Sequence, residues 1–193
     1  MSGEGDAADP APTAPEGVSI EPAAADDRLD VLRVLDAAIL ETDADRVADR
    51  IDAGDVLVAR FIRTGAVAGA LVATRPEPGR LHVDAVAVRR ARRGRGIGSA
   101  LVAGVVERAE RDDTVEAVTA AFDPKLRGFY TDLGFAVDRD GDNRSDDDRD
   151  GDGIGDNDRD DDTEETDRVH GRLPVGEDPV DERDDPESGE RRR

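Results

Sequence analysis

Cysteine and tryptophan are absent from this chain of 193 residues, lysine occurs only at Lys125 and tyrosine only at Tyr130. Without cysteine there is no disulfide framework, no thiolate-bound zinc and no thiol nucleophile, so nothing in the composition points to an oxidising compartment. No run approaches 18 consecutive apolar residues, so no membrane-spanning helix is expected. Residues 1–15, rich in Ala, Pro, Gly and Asp, lack the charged and apolar regions of a signal peptide. These absences predict a cytoplasmic protein. Aromatic residues make up 3% and apolar residues 36%, low for a compact globule, so part of the chain is expected to stay outside any core.

What the chain has in excess is acid: 48 Asp and Glu against 27 Lys and Arg, a formal charge of −21. The excess is uneven. Residues 1–136 hold 24 acids and 17 bases, residues 137–193 hold 24 acids and 10 bases. The first part can form a folded domain, whereas most of the second reads as solvated. Charge of this sign repels nucleic acid and anionic lipid at long range, so neither is expected as a partner. An acidic surface with arginine in place of lysine suits a halophilic protein, because salt screens the self-repulsion that otherwise destabilises the fold.

Periodicity orders the elements. Residues 18–21 form a short strand stopped by Pro22, and residues 26–39 an amphipathic helix with Leu29, Leu32, Val34, Leu35, Ala38 and Ile39 at helical spacing. Thr42 is the expected N-cap of a second helix that buries Val47 and Ile51 and ends before Gly54. Residues 55–63 and 66–74 are branched apolar runs joined by Thr64 and Gly65, a β-hairpin. Residues 81–88 (LHVDAVAV) add a strand, 98–111 a helix, 115–122 a strand, 124–133 a helix with Pro124 in its first turn, and 135–137 a strand. Residues 138–166 are almost wholly Asp, Gly, Arg and Asn, after which 168–175 (RVHGRLPV) return to strand alternation. The expected organisation is a disordered segment 1–16, a domain 17–175 with an acidic low-complexity insertion 138–166 in its last hairpin, and a disordered tail 176–193. The order of elements makes this an α/β or α+β layer fold.

The segment at 89–98 reads RRARRGRGIG, with five arginines in seven positions and no acid between Asp84 and Glu107. It joins a strand to a helix. Gly94, Gly96 and Gly98 let the backbone turn with its amides pointing one way, and these add to the positive end of the helix, an anion site suited to a pyrophosphate. Flanking arginines can hold a further phosphate; the plain alternative is a solvated basic turn. A nucleotide P-loop needs a Lys and the dinucleotide fingerprint needs G-x-G-x-x-G, and neither is present.

Arg93-Gly94-Arg95-Gly96-Ile97-Gly98 fits the pattern (Arg/Gln)-x-x-Gly-x-(Gly/Ala), and residues 128–135 (GFYTDLGF) place a Tyr before Leu-Gly-Phe. In both signatures the chain resembles the GNAT family of acetyl-CoA-dependent N-acetyltransferases. The resemblance covers residues 18–137 and the last strand. It implies an α+β fold with a mixed, mostly antiparallel central sheet and helices on both faces. It also implies acetyl-CoA as co-substrate, with no metal required. The donor would lie along Val86, Ala87 and Val88 and be held by Arg93, Gly94, Arg95, Gly96, Ile97, Gly98 and Ser99. Asp123 stands where many members carry Asn, so a contact there would differ. The implied partner is an amine acceptor, a small molecule or a protein, and the implied state a monomer or homodimer.

Acetyl transfer needs a neutral amine, a polarised thioester carbonyl and a proton for the leaving thiolate. A backbone N–H of Val86 or Val88 suits the carbonyl, because a strand that splays from its neighbour leaves such groups unpaired. Tyr130, with an ordinary phenol pKa near about 10, suits the thiolate; the alternative is a tyrosine that only packs. Asp84 interrupts an otherwise apolar strand and is the first candidate base, and the resemblance, which aligns it with a Glu often found there, implies that it acts through water; His82, two residues earlier on the same face, is able to share the role. Either can instead orient the amine or pair with an arginine. His170 reads as structural.

Within the insertion, residues 148–156 (DRDGDGIGD) contain D-x-D-x-D-G, and Asp148, Asp150, Asp152 and Asp156 around its glycine turn resemble the calcium loops of thrombospondin type 3 repeats. Position 12 of that loop is Arg159 rather than Glu, and no cysteine braces it, so a solvating loop is the favoured reading and calcium binding the weaker one. Two other functions stay open beside catalysis: a non-catalytic acetyl-CoA sensor, and a calcium-binding interaction protein.

Overall fold

The computed structural model describes residues 13–37, 43–137 and 168–176. β1 (Val18–Pro22) is followed by α1 (Arg28–Asp36), α2 (Ala44–Asp52), β2 (Val56–Phe61), β3 (Val67–Thr74), β4 (Gly79–Val88), α3 (Ile97–Glu110), β5 (Val115–Phe122), α4 (Arg127–Thr131), β6 (Ala136–Val137) and β7 (Val169–Pro174). The strands form one sheet in the order β1-β2-β3-β4-β5-β7-β6. Every neighbouring pair is antiparallel except β4 and β5, which are parallel and therefore need the α3 crossover between them.

The expected α+β sheet with helices on both faces is what forms. On one face α3 and the α4 region pack Leu101, Val102, Val105 and Tyr130 against Leu57, Leu71, Val118 and Phe122. On the other, α1 and α2 pack Val31, Val34, Leu35, Val47 and Ile51 against Val56, Val58, Val72, Ala85 and Ala87. Small residues let α3 lie close. A Cβ at Gly69 would stand 3.0 Å from the Ala87 carbonyl oxygen and 3.1 Å from Leu101, and one at Gly104 3.0 Å from Ile20.

Three local expectations change. In α1 it is Val31, Val34 and Leu35 that are buried; Leu29 is 65% exposed. The N-cap of α2 is Asp43 rather than Thr42, and its carboxylate accepts the Asp45 N–H at 2.8 Å. The helix expected over 124–133 starts as a 3-10 turn, Pro124–Leu126, and its α-helical part is only Arg127–Thr131. Ala38, Ile39, Thr42 and residues 138–167, with the insertion and its four candidate calcium ligands, lie outside the described residues.

One irregularity in the sheet sets where a cleft can open. Val72 pairs with Ala85 and Ala73 with Val83, so Asp84 is an extra residue, a β-bulge. Leu81 and Val83 pack into the α3 cluster, whereas past the bulge Ala85 and Ala87 pack under α1 and α2. The pairing of β4 with β5 also stops at this point, at Val83 opposite Ala120.

Candidate active site

Because β4 and β5 part after Val83, the β5-facing backbone groups of residues 84–88 have no strand partner. A cleft of about 780 Å³ opens there. Of the expected site residues it is lined by Asp84, Val86, Ala87, Val88, Arg93, Gly94, Gly96, Ile97, Gly98, Ser99, Asp123 and Tyr130. Arg95 is the exception: it is exposed and not part of the lining. Phe122, Phe129, Leu126 and Arg168 also line the cleft. The aromatic pair was hidden in the sequence because its spacing fits a core equally well, and Arg168 because it stands just before a strand remote in sequence.

At one end lies the glycine turn. Gly94 (φ +70°) and Gly96 (φ +76°) occupy the left-handed region, and Gly96 is the N-cap of α3, so the helix starts at Ile97, one residue earlier than expected. Gly98 is inside the helix and makes no turn; a Cβ there would meet Phe129 at 3.7 Å and Val88 at 3.8 Å, in the floor of the cleft. The N-terminal amides of α3 thus face the cavity at a position where anions are favoured.

The five arginines divide by role. The Arg89 Nε donates to the Val67 carbonyl at 2.6 Å and its guanidinium reaches Asp30 at 3.6 Å, tying the end of β4 to α1. Arg92 stacks over the Phe61 ring at 4.8 Å. The Arg93 Nε donates to the Val88 carbonyl at 3.0 Å, closing the last backbone group of β4. Arg90 and Arg95 make no ion pair among the described residues.

At the other end is Tyr130. Its ring stacks on Phe122 with centroids 4.0 Å apart and meets Phe129 and Phe135 edge-on at 5.1 and 5.3 Å. Its hydroxyl bonds to no described residue and opens on the cleft. Burial pushes its pKa up to about 12, above the ordinary phenol value expected from sequence. Asp123 caps the turn that precedes α4, its carboxylate accepting the Lys125 N–H at 2.8 Å.

Asp84 is exposed on its bulge and lines the cleft, so the carboxylate sits in solvent reach rather than in an apolar strand face. His82 does not line the cleft: its Nδ1 is 2.9 Å from the Thr119 hydroxyl on β5, and the bulge undoes the alternation that put both residues on one face. Its pKa is lowered, first by burial and further by His170 and Arg168, with Asp84 acting the other way. Among the described residues no group of His, Asp or Glu is arranged to hold a metal ion, and no helix is long and apolar enough to cross a membrane.

A parallel strand pair that parts and leaves backbone groups without a strand partner thus stands beside a glycine turn at a helix N-terminus, where anions are favoured. The model of the Acetyltransferase (GNAT) family matches residues 29–135, more than half of the chain, and the chain belongs to that family. It is an acyltransferase. Solved structures share the fold. Ard1 from Thermoplasma volcanium has a TM-score of 0.62 at 17% identity, covering 83% of this chain and 99% of that one. A putative GNAT acetyltransferase from Desulfovibrio desulfuricans has a TM-score of 0.57 at 22% identity, covering 82% and 99%. Rv2747 from Mycobacterium tuberculosis, solved in complex with CoA and NLQ, has a TM-score of 0.56 at 21% identity, covering 63% and 73%. Among curated proteins no relative matches.

Proposed function

We propose that this chain, as a single domain over residues 17–175, moves the acetyl group of acetyl-CoA to a primary amine by direct attack. The observation that carries the reading is one shared cavity: the unpaired edge of β4 forms its wall, the Gly94–Gly96 turn and the start of α3 one end, and the Tyr130 hydroxyl the other. A CoA-bound neighbour of the same fold supports the choice of donor. The α3 amides and Arg90 and Arg95, which make no ion pair among the described residues, suit the donor's phosphates, and an amide of Val86 or Val88 suits the thioester oxygen.

In the reaction the amine nitrogen bonds to the carbonyl carbon, the carbon–sulfur bond breaks, and sulfur takes the Tyr130 proton. The proton shed by nitrogen passes through water to Asp84. A phenol at about 12 is a weaker acid than the thiol it would form in water, roughly 8.5 for an ordinary thiol. The transfer becomes matched only once the bound donor excludes water, because desolvation raises the thiolate's own pKa as well. Tyr130→Phe tests this: kcat for thiol release is expected to fall on the order of 100-fold with the KM for acetyl-CoA little changed. Full turnover at saturating substrate would remove the role.

A further inference from the structure

One part of the cleft lining, Arg168, comes from just before β7. In β7, Val169 and Leu173 pack into the α3 cluster, so His170 and Arg172 point to the opposite face, and Arg168 continues that outward series by one step. Register sets His170 opposite Ala121 and Arg172 opposite Thr119, which in turn is bonded by His82. The helices α1 and α2 cover β4 only past its bulge, and among the described residues no helix covers this face of β5 and β7: Thr119 and Ala121 are half-buried, His170 and Arg172 exposed.

The described arginines divide into those that reach a carboxylate and those, Arg90 and Arg95 among them, that reach none among the described residues. Arg28, Arg33, Arg50, Arg60, Arg75, Arg80, Arg89 and Arg111 all reach a carboxylate. Arg168 reaches none among the described residues, although it lines the cleft and acids outnumber bases 48 to 27. Of the acids that line the cleft, Asp123 caps its turn and Asp84 sits exposed on the bulge, and neither pairs with Arg168. A planar fork of donors that meets no carboxylate among the described residues, on the lining of this cleft, is matched by a carboxylate.

We infer that Arg168, backed by His170 and Arg172, binds a carboxylate of the acceptor, which makes the acceptor an amino acid: one amine to be acetylated and a carboxylate a few bonds away. The inference rests on the acetyl-transfer reading and narrows its substrate class.

The test is thiol release by the full chain from acetyl-CoA with free amino acids, each beside its α-carboxamide, and with spermidine and an unrelated peptide. The Asp/Asn and Glu/Gln pairs read a side-chain carboxylate. The acids are expected to exceed their amides by about tenfold or more in kcat/KM, the effect of one charged hydrogen-bonded contact. Arg168→Gln should erase that preference by raising the acceptor KM while leaving the KM for acetyl-CoA unchanged. Arg168→Lys should restore part of it, and Arg63→Gln, in the exposed β2–β3 turn, should do nothing. Amides, spermidine or the peptide used as well as the acids would overturn the inference and leave acetyl transfer standing. So would an Arg168→Gln effect confined to acetyl-CoA. No transfer to any amine would overturn the acetyl-transfer reading itself, and this inference with it.

Discussion

Tyr130 and Asp84 hold opposite environments, one buried against three phenylalanine rings and the other exposed on a bulge, and kinetics should separate them. With its pKa raised to about 12, Tyr130 stays protonated through the working range, so kcat should show no falling limb from loss of its proton below about pH 11. A fall between pH 9 and 10 that disappears in Tyr130→Phe would contradict this. Asp84→Asn should lower kcat/KM about tenfold or more, while His82→Gln, whose side chain turns to Thr119 and away from the cleft, should keep it. The reverse result would move the base to His82. Both candidates were legible in the sequence for a chemical reason: a solitary tyrosine and an acid inside an apolar strand are conspicuous. Arg168 was not legible. An exposed arginine just before a strand looks like any solvent-facing base until β7 lies beside β5.

At the scale of elements, spacing and glycine reported the strands, the α3 crossover and the turn before it, because branched runs and a strand–glycine–helix junction have few alternative structures. The bulge was hidden, since LHVDAVAV alternates equally well with or without an extra residue when both faces are buried. The glycine turn carries a direct consequence. Gly96→Ala puts a Cβ on a residue at φ +76°, costing about 1 kcal/mol or more, and it disturbs the N-terminus of α3. The expected outcome is a several-fold higher KM for acetyl-CoA with kcat little affected; Gly128→Ala, where nothing stands within 4 Å of the added carbon, is the neutral comparison.

A second element-level joint is electrostatic. Asp27, 7% exposed, accepts the Ala24 N–H at 2.9 Å and an Arg60 N–H at 2.7 Å, and Arg60 also pairs with Glu21, so the start of α1 is tied to β1 and β2. Burial raises the carboxyl's pKa, but the Arg60 and Ala24 hydrogen bonds and the Arg60 charge together leave it lowered. A lowered folded value means the stabilisation is complete above the unfolded pKa of 3.8 and is lost as pH falls through the folded one. Urea unfolding should therefore find Asp27→Asn less stable than the parent by roughly 2 kcal/mol at pH 7, with the gap closing below pH 3.8. An equal gap at pH 7 and pH 3 would mean packing, not charge, holds the joint.

For the whole molecule the governing quantity is the charge of −21, and its effect depends on two opposed terms. Most of the ion pairs are exposed, as with Arg28–Asp45, where the aspartate side chain is 94% exposed, and such pairs contribute little and lose it in salt. The repulsion among unpaired acids is longer in range, so it loses more when the screening length falls from about 10 Å at 0.1 M to about 3 Å at 1 M. The Arg60–Asp27 joint is mostly buried and responds weakly to either. Repulsion wins, because acids exceed bases by 21 and each ion pair removes only one of each. The thermal midpoint should rise by roughly 5 °C between dilute buffer and molar KCl. Changing Asp148, Asp150, Asp152 and Asp156 together to Asn removes four charges, and if screening is the cause this should raise the midpoint in dilute buffer while shrinking the gain from salt. A midpoint indifferent to KCl, or a gain that the four substitutions leave untouched, would show that the acidity serves something other than stability in salt.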